Sequence, residues 1–134
     1  VRAIEIALAD AKVNKEEIDY ISLDGLALND WDASEVSAIK QVFGKRSEKI
    51  PVSCPKSAFG NLLGASGALD LIITVLSMEH NLIAPTLNLE DPDLDGLNYV
   101  QGQAKEYPVN KALVISRGRG GINSVLVVER GEKQ

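Results

Sequence analysis

Four places in this 134-residue chain carry side chains with chemical potential. The single histidine, His80, stands beside Asn81 at the polar end of a long apolar stretch. General-base work needs a positioned partner; none is evident, and a helix-end residue beside the C-terminal dipole is the simpler reading. The single cysteine, Cys54, has only Lys56 as a nearby cation. A reactive thiolate needs a cationic neighbour and solvent access, so Cys54 reads instead as a small buried hydrophobe in a strand. Lys56 itself stands among Ser53, Ser57 and Gly60, ahead of an apolar helix. If buried, it needs a carboxylate, and Glu35 is the candidate. The run Arg117-Gly118-Arg119-Gly120-Gly121 looks like a phosphate cradle, but it joins two strands and matches neither the dinucleotide nor the P-loop spacing. A hairpin turn needing positive φ is expected. Its two arginines suit an acidic ligand or a partner's carboxylate. No nucleophile–base pair, metal cluster or cofactor motif emerges, so neither a metal nor a cofactor is expected.

The elements that must position these groups follow from periodicity. Ile4, Ala7, Leu8 and Ala11 make one face of an amphipathic helix over residues 2–12. Val1 already sits within that pattern, with no cap or turn before it, which gives the expectation of a chain that begins in the middle of something. Tyr20-Ile21-Ser22-Leu23 is a short strand broken by Asp24-Gly25. Asp30 or Asp32 caps the next helix, Asp32 and Glu35 having capping-box spacing; Val36, Ile39 and Phe43 line its face, and Gly44 ends it. A second strand spans residues 50–54, with Pro51 near its start. The helix over residues 62–79 is apolar on nearly every side and is expected to be buried on most of them. Gly64, Ala65, Gly67 and Ala68 would allow close approach of another backbone. Pro85 and Pro92 mark an irregular segment, and residues 112–116 and 124–128 form a final strand pair. The order predicts a layered α/β fold in one domain, residues 1–134.

Composition narrows the partners. The net charge is −5 and the pI about 4.9, which excludes a basic nucleic-acid surface; Lys45, Arg46 and Lys49 are interrupted by Glu48 and read as a solvated loop. One cysteine rules out an internal disulfide and fits a reducing cytoplasm. The stretch 62–78 carries Asp70, Ser66, Thr74 and Ser77, which marks a core helix and not a membrane span.

Three segments resemble the carboxyl-terminal half of the beta-ketoacyl-acyl carrier protein synthases, of thiolase fold. Where active members have His-Gly-Thr after a strand, this chain has Asp24-Gly25-Leu26. Where they have Lys-Ser-x-x-Gly-His, Lys56, Ser57 and Gly60 match but Asn61 replaces the histidine. Where they have Phe-Gly-Phe-Gly-Gly-x-Asn, Arg117 and Arg119 replace both phenylalanines, around Gly118, Gly120, Gly121 and Asn123. The run Ser116–Ser124 is most similar to the chain length factor of type II polyketide synthases.

The resemblance implies that two histidines which bind the thioester oxygen and assist decarboxylation are missing, so no catalytic residue is expected here. Oxyanion stabilisation is worth about 10²–10³-fold per donor; Asp24 puts negative charge where negative charge develops, and Asn61 donates but cannot cycle a proton. The expected role is a non-catalytic subunit that pairs with an active, cysteine-bearing ketosynthase; the pair adds malonyl units from an acyl carrier protein, and this subunit helps shape the cavity limiting chain length. Lys56 and Glu35 are expected to form a structural ion pair, and Arg117, Gly118, Arg119, Gly120 and Gly121 to border the pocket. The family's carboxyl-terminal half also has a central strand upstream of the first helix, so the chain is expected to fold stably only with another polypeptide supplying it, its own amino-terminal half included. Two other readings stand beside this one. A divergent acyltransferase would use Cys54, or a nucleophile outside this chain, with Asp24 as base. A purely structural module would keep the fold alone.

Overall fold

The computed structural model describes residues 1–131. In chain order the elements are α1 (Arg2–Ala11), β1 (Tyr20–Ser22), α2 (Asn29–Phe43), β2 (Pro51–Ser53), α3 (Lys56–Phe59), α4 (Ser66–His80), β3 (Leu82–Ile83), β4 (Asn98–Tyr99), β5 (Lys105–Glu106), β6 (Lys111–Gly118) and β7 (Ile122–Glu129). The main sheet runs β4-β2-β1-β6-β7, parallel except for β7, which is antiparallel to β6. β3 and β5 form a small separate pair.

The layered α/β expectation holds, but the place of the additional strand is corrected. β1 pairs directly with β6, Tyr20 opposite Ala112 and Ser22 opposite Val114. The sheet is continuous through its centre, so a strand from another polypeptide has room only at an edge, beside β4 or β7.

Strand alternation assigns the two faces. Ile21, Val52, Leu113 and Ile115 point to one side, where Ile4 and Leu8 of α1 and Ile39, Val42 and Phe43 of α2 complete an apolar core. Tyr20 and Ala112 point to the other, against Met78 of α4 with Ile83 and Val109. Ser22 and Ser53 share that second face by register with Tyr20, and the Tyr20 hydroxyl bonds to Ser53 Oγ at 2.8 Å.

Two helix expectations fail for identifiable reasons. α2 starts at Asn29 with Leu28 at the N-cap and no side-chain cap. The Asp32–Glu35 box does not form because both carboxylates turn to amides of the preceding loop: Asp32 Oδ1 accepts from the Leu26 N–H at 2.9 Å, and Glu35 serves residues 24 and 25. The apolar helix is shorter, and its burial is inverted. Ser66, Asp70, Thr74, Ser77 and Met78 face inward, at spacings that fall on one side of a helix. Ile72, Val75 and Leu76 face outward, Ile72 being 55% exposed. The inward stripe is mixed: Asp70 faces Lys56, and Met78 joins the apolar cluster around Tyr20 and Ile83. Of the small residues, Gly67 does mark a close approach: a Cβ there would lie 3.2 Å from Ser116 Oγ of β6.

Candidate functional site

The carboxyl ends of β1 and β2 deliver the site. β1 runs straight into Asp24, and β2 into Cys54 and α3, whose first residue is Lys56. Lys56 is buried, with its Nζ 2.6 Å from Asp70 Oδ2 and 3.3 Å from Asp24 Oδ1. The expected Lys56–Glu35 pair is therefore corrected: the principal partner is Asp70, and Asp24 is the second. Burial opposes the charge on Lys56, but the two carboxylates outweigh it and hold its pKa above the usual lysine value. One lysine cannot neutralise two buried acids. Burial, with the Asp24 carboxylate adding to it, pushes Asp70 up despite the lysine's opposing pull. Asp24 Oδ2 and Asp70 Oδ1 are both buried without a hydrogen-bond partner.

Glu35 is spent on backbone. Its Oε1 accepts from the Asp24 N–H at 2.8 Å and its Oε2 from the Gly25 N–H at 3.1 Å. It is buried, and burial raises its pKa to about 7 against the pull of those amides. Gly25 is required here. Its φ is +48°, and a Cβ would meet Cys54 Sγ at 2.5 Å. Cys54 lies under this loop, its thiol facing the carbonyls of Asp24 and Gly25 at 3.7 and 3.5 Å. Burial pushes the thiol up to about 11, so it packs as a neutral hydrophobe, as expected, and is no nucleophile at neutral pH.

A cavity of about 750 Å³ opens beside this cluster. The β1–α2 loop and first turns of α2 form one wall, including Leu26, Asp30, Asp32 and Glu35; Cys54, Lys56, Ser57 and Asn61 form a second, and residues 86–94 a third. Asn61 thus reaches the cavity, but its carbonyl is occupied, accepting from the Leu63 N–H and Ser66 Oγ at 2.8 Å each; only its amide N–H₂ remains to offer a ligand.

The glycine turn lies elsewhere. Gly120 and Gly121 have φ of +78° and +82°, as a hairpin demands, but Arg117, Gly118, Arg119, Gly120 and Gly121 are not among the residues lining the cavity. Arg117 is bound to α2 instead, and Arg119 is exposed. His80 ends α4, exposed, as expected. No group of three or more metal-ligating side chains occurs among the described residues, and no described helix is long and apolar enough to cross a membrane.

The residue that sequence reasoning missed as a site member is Asp70. Its signal was present: it is the one charged side chain within residues 62–78, and a buried charge in an apolar helix requires a counter-ion.

Comparison with known proteins places these observations. The family model "Beta-ketoacyl synthase, C-terminal domain" matches residues 1–90. The chain is 40% identical over 126 residues to 3-oxoacyl-[acyl-carrier-protein] synthase 2 of Coxiella burnetii, covering 92% of this chain and 30% of that one. It is 38% identical over 130 residues to the actinorhodin polyketide putative beta-ketoacyl synthase 2 of Streptomyces coelicolor, with 96% and 31% covered. Among solved structures, a ketosynthase in complex with its type II acyl-carrier protein superposes with a TM-score of 0.93 at 36% identity, covering 97% of this chain and 32% of that one. The ishigamide ketosynthase/chain length factor gives 0.92 at 36%, with 98% and 32% covered. The chain spans about a third of the length of these relatives. With the matched model, the thiolase-like layering and the retained Lys56-Ser57 and glycine-turn segments in agreement, the chain belongs to the beta-ketoacyl synthase family, within its carboxyl-terminal domain.

Proposed function

We propose that this chain serves a ketosynthase-like subunit that does not itself condense, pairing with an active, cysteine-bearing ketosynthase in polyketide assembly and helping to shape the cavity that limits chain length. The observation that carries this reading is Asp24: it is buried against Lys56 at 3.3 Å, at the place where the resemblance to active members implies a histidine. An anion there opposes the charge that develops on a thioester oxygen. Asn61, at the other histidine position, keeps a donor but has no proton to exchange. The acyltransferase alternative needs Asp24 as an accessible base, yet its side chain is engaged and almost wholly enclosed; Cys54 is enclosed as well.

The outward Ile72, Val75 and Leu76 of α4, and Ile122 of β7 at 70% exposure, support a covering polypeptide. We assign that role to the amino-terminal part of a synthase, with the active ketosynthase subunit beyond it and an acyl carrier protein delivering the extender. The cytoplasm is the compartment this chemistry fits.

The test is reconstitution. The complete subunit is assayed for malonyl decarboxylation and chain extension on an acyl carrier protein, with and without a cysteine-bearing ketosynthase. Turnover only in the presence of the partner is expected. Thioester turnover by the subunit alone, abolished in Asp24→Ala, would establish the acyltransferase; no effect on the partner at all would leave a structural module.

A further inference from the structure

The glycine turn and the cavity belong to different elements, and one residue joins them. Arg117, near the end of β6, donates from Nη1 to the Trp31 carbonyl at 2.6 Å and from Nη2 to Ser34 Oγ at 2.9 Å. Its guanidinium also lies 4.9 Å from the centre of the Trp31 ring. Both contacted residues belong to the first turns of α2. A cation beside a helix N-terminus is opposed by the helix dipole, so helix electrostatics do not account for its placement. The fork of hydrogen bonds and the ring stack do, and these are properties of arginine that lysine lacks.

The next residue after Ser34 is Glu35, which grips the backbone N–H groups of Asp24 and Gly25. Asp24 in turn reaches Lys56, and Lys56 reaches Asp70. A continuous set of contacts thus runs from the end of β6, through α2 and the β1–α2 loop, to α4. Along the way it includes the cavity wall formed by Gly25, Leu26, Ala33, Glu35 and Val36.

We infer that Arg117, which touches no part of the cavity, is the positioning residue for this wall: by fixing the first turns of α2 it sets where Glu35 holds the Asp24–Gly25 backbone, and so couples the conformation of the glycine turn to the shape of the cavity. The inference rests on this chain's own geometry and stands apart from the partner-subunit reading. It deepens what Glu35 does, because charged groups from two separate segments act on that carboxyl. Asp24 raises its proton affinity and Arg117 lowers it. The Cys54 thiol and Tyr99 hydroxyl line the same cavity, and burial raises both, to about 11 and about 12.

The test uses the complete subunit to which these 134 residues belong, with any tryptophan outside them replaced so that Trp31, the single tryptophan among them, is the only one. Amide resonances of Asp24 and Gly25 are followed through a pH titration alongside Trp31 fluorescence, in the parent, Arg117→Gln and Arg117→Lys. In Arg117→Gln, both amides move and the midpoint of the Glu35 titration that the Gly25 amide reports rises by roughly half a pH unit or more, the scale of one screened unit charge. Arg117→Lys keeps the charge and holds the midpoint, but loses the fork and the stack, so the amides and the Trp31 emission still shift. A merely structural arginine would not separate these readouts. If Arg117→Gln does not fold, Arg117→Lys decides alone. Changes confined to β6 and the turn, with Asp24 and Gly25 unmoved, would overturn the inference.

Discussion

Lys56 Nζ sits 2.6 Å from Asp70 Oδ2, an ion pair sealed between α3 and α4 with a second acid, Asp24, at 3.3 Å. Removing one partner of a buried pair leaves an uncompensated charge and costs about 3–5 kcal/mol. Lys56→Met is therefore expected to lower unfolding free energy by about that amount. A double-mutant cycle in urea should give strong coupling between Lys56 and Asp70 and weak coupling between Lys56 and Glu35.

Asp24→Asn should behave in the opposite sense. It removes the surplus buried charge and leaves Lys56 and Asp70 matched one to one. Stability at neutral pH is expected to stay within about 1 kcal/mol of the parent or to rise. A loss of several kcal/mol on denaturation would show that Asp24, and not Asp70, is the lysine's principal partner.

Glu35 sets a pH dependence. Its folded-state pKa is raised from 4.5 to about 7, so between those values the folded chain retains a proton that the unfolded chain has released. Stability is then greatest toward the acidic end of that window and falls as pH rises toward 7, by an amount up to about 3 kcal/mol. Glu35→Gln should flatten this slope in thermal melts across pH 4.5–7, leaving the smaller slope due to Asp70.

Gly25→Ala should be costly for two separable reasons. The residue has positive φ, which costs about 1 kcal/mol for alanine, and the new Cβ strikes Cys54 Sγ. A loss of about 2 kcal/mol or more is expected. Adding Cys54→Ala should recover the steric part and leave the backbone part, as read from chemical denaturation.

Arg130 closes the far end of α4. Its guanidinium donates to the carbonyls of Met78 and Val109 and to Asn81 Oδ1. Arg130→Ala should cost about 1–2 kcal/mol, and hydrogen exchange should show the loss concentrated in the last turn of α4.

Much of this was legible in the chain itself. The existence of β1, β2, β6 and β7 and the Val36–Ile39–Phe43 stripe of α2 follow from apolar runs, side-chain period and turn residues, and so does the final hairpin; the strand order and the parallel pairing of β4, β2, β1 and β6 do not, because pairing partners are far apart in the chain. The expected Asp32–Glu35 box failed because a carboxylate near a helix start competes for any free amide, and the β1–α2 loop offers several; spacing cannot tell which amide folds back. The partner of Lys56 failed for a related reason. Asp70 is fourteen positions away on another helix, and only tertiary packing brings the two together. The burial of α4 was misjudged because apolar content says that a helix will be covered, but not from which side.

That inversion bears on how α4 finds its place. A helix docked by greasy side chains can slide by a turn and still satisfy most of its contacts. α4 turns Ser66, Asp70, Thr74, Ser77 and Met78 inward, with Asp70 committed to one lysine. A shift of one turn would part this buried carboxylate from its lysine, so α4 docks in a single alignment or not at all. The same contact is a lock set from within the domain, which leaves the outer apolar side free to accept whatever covers it without disturbing the alignment.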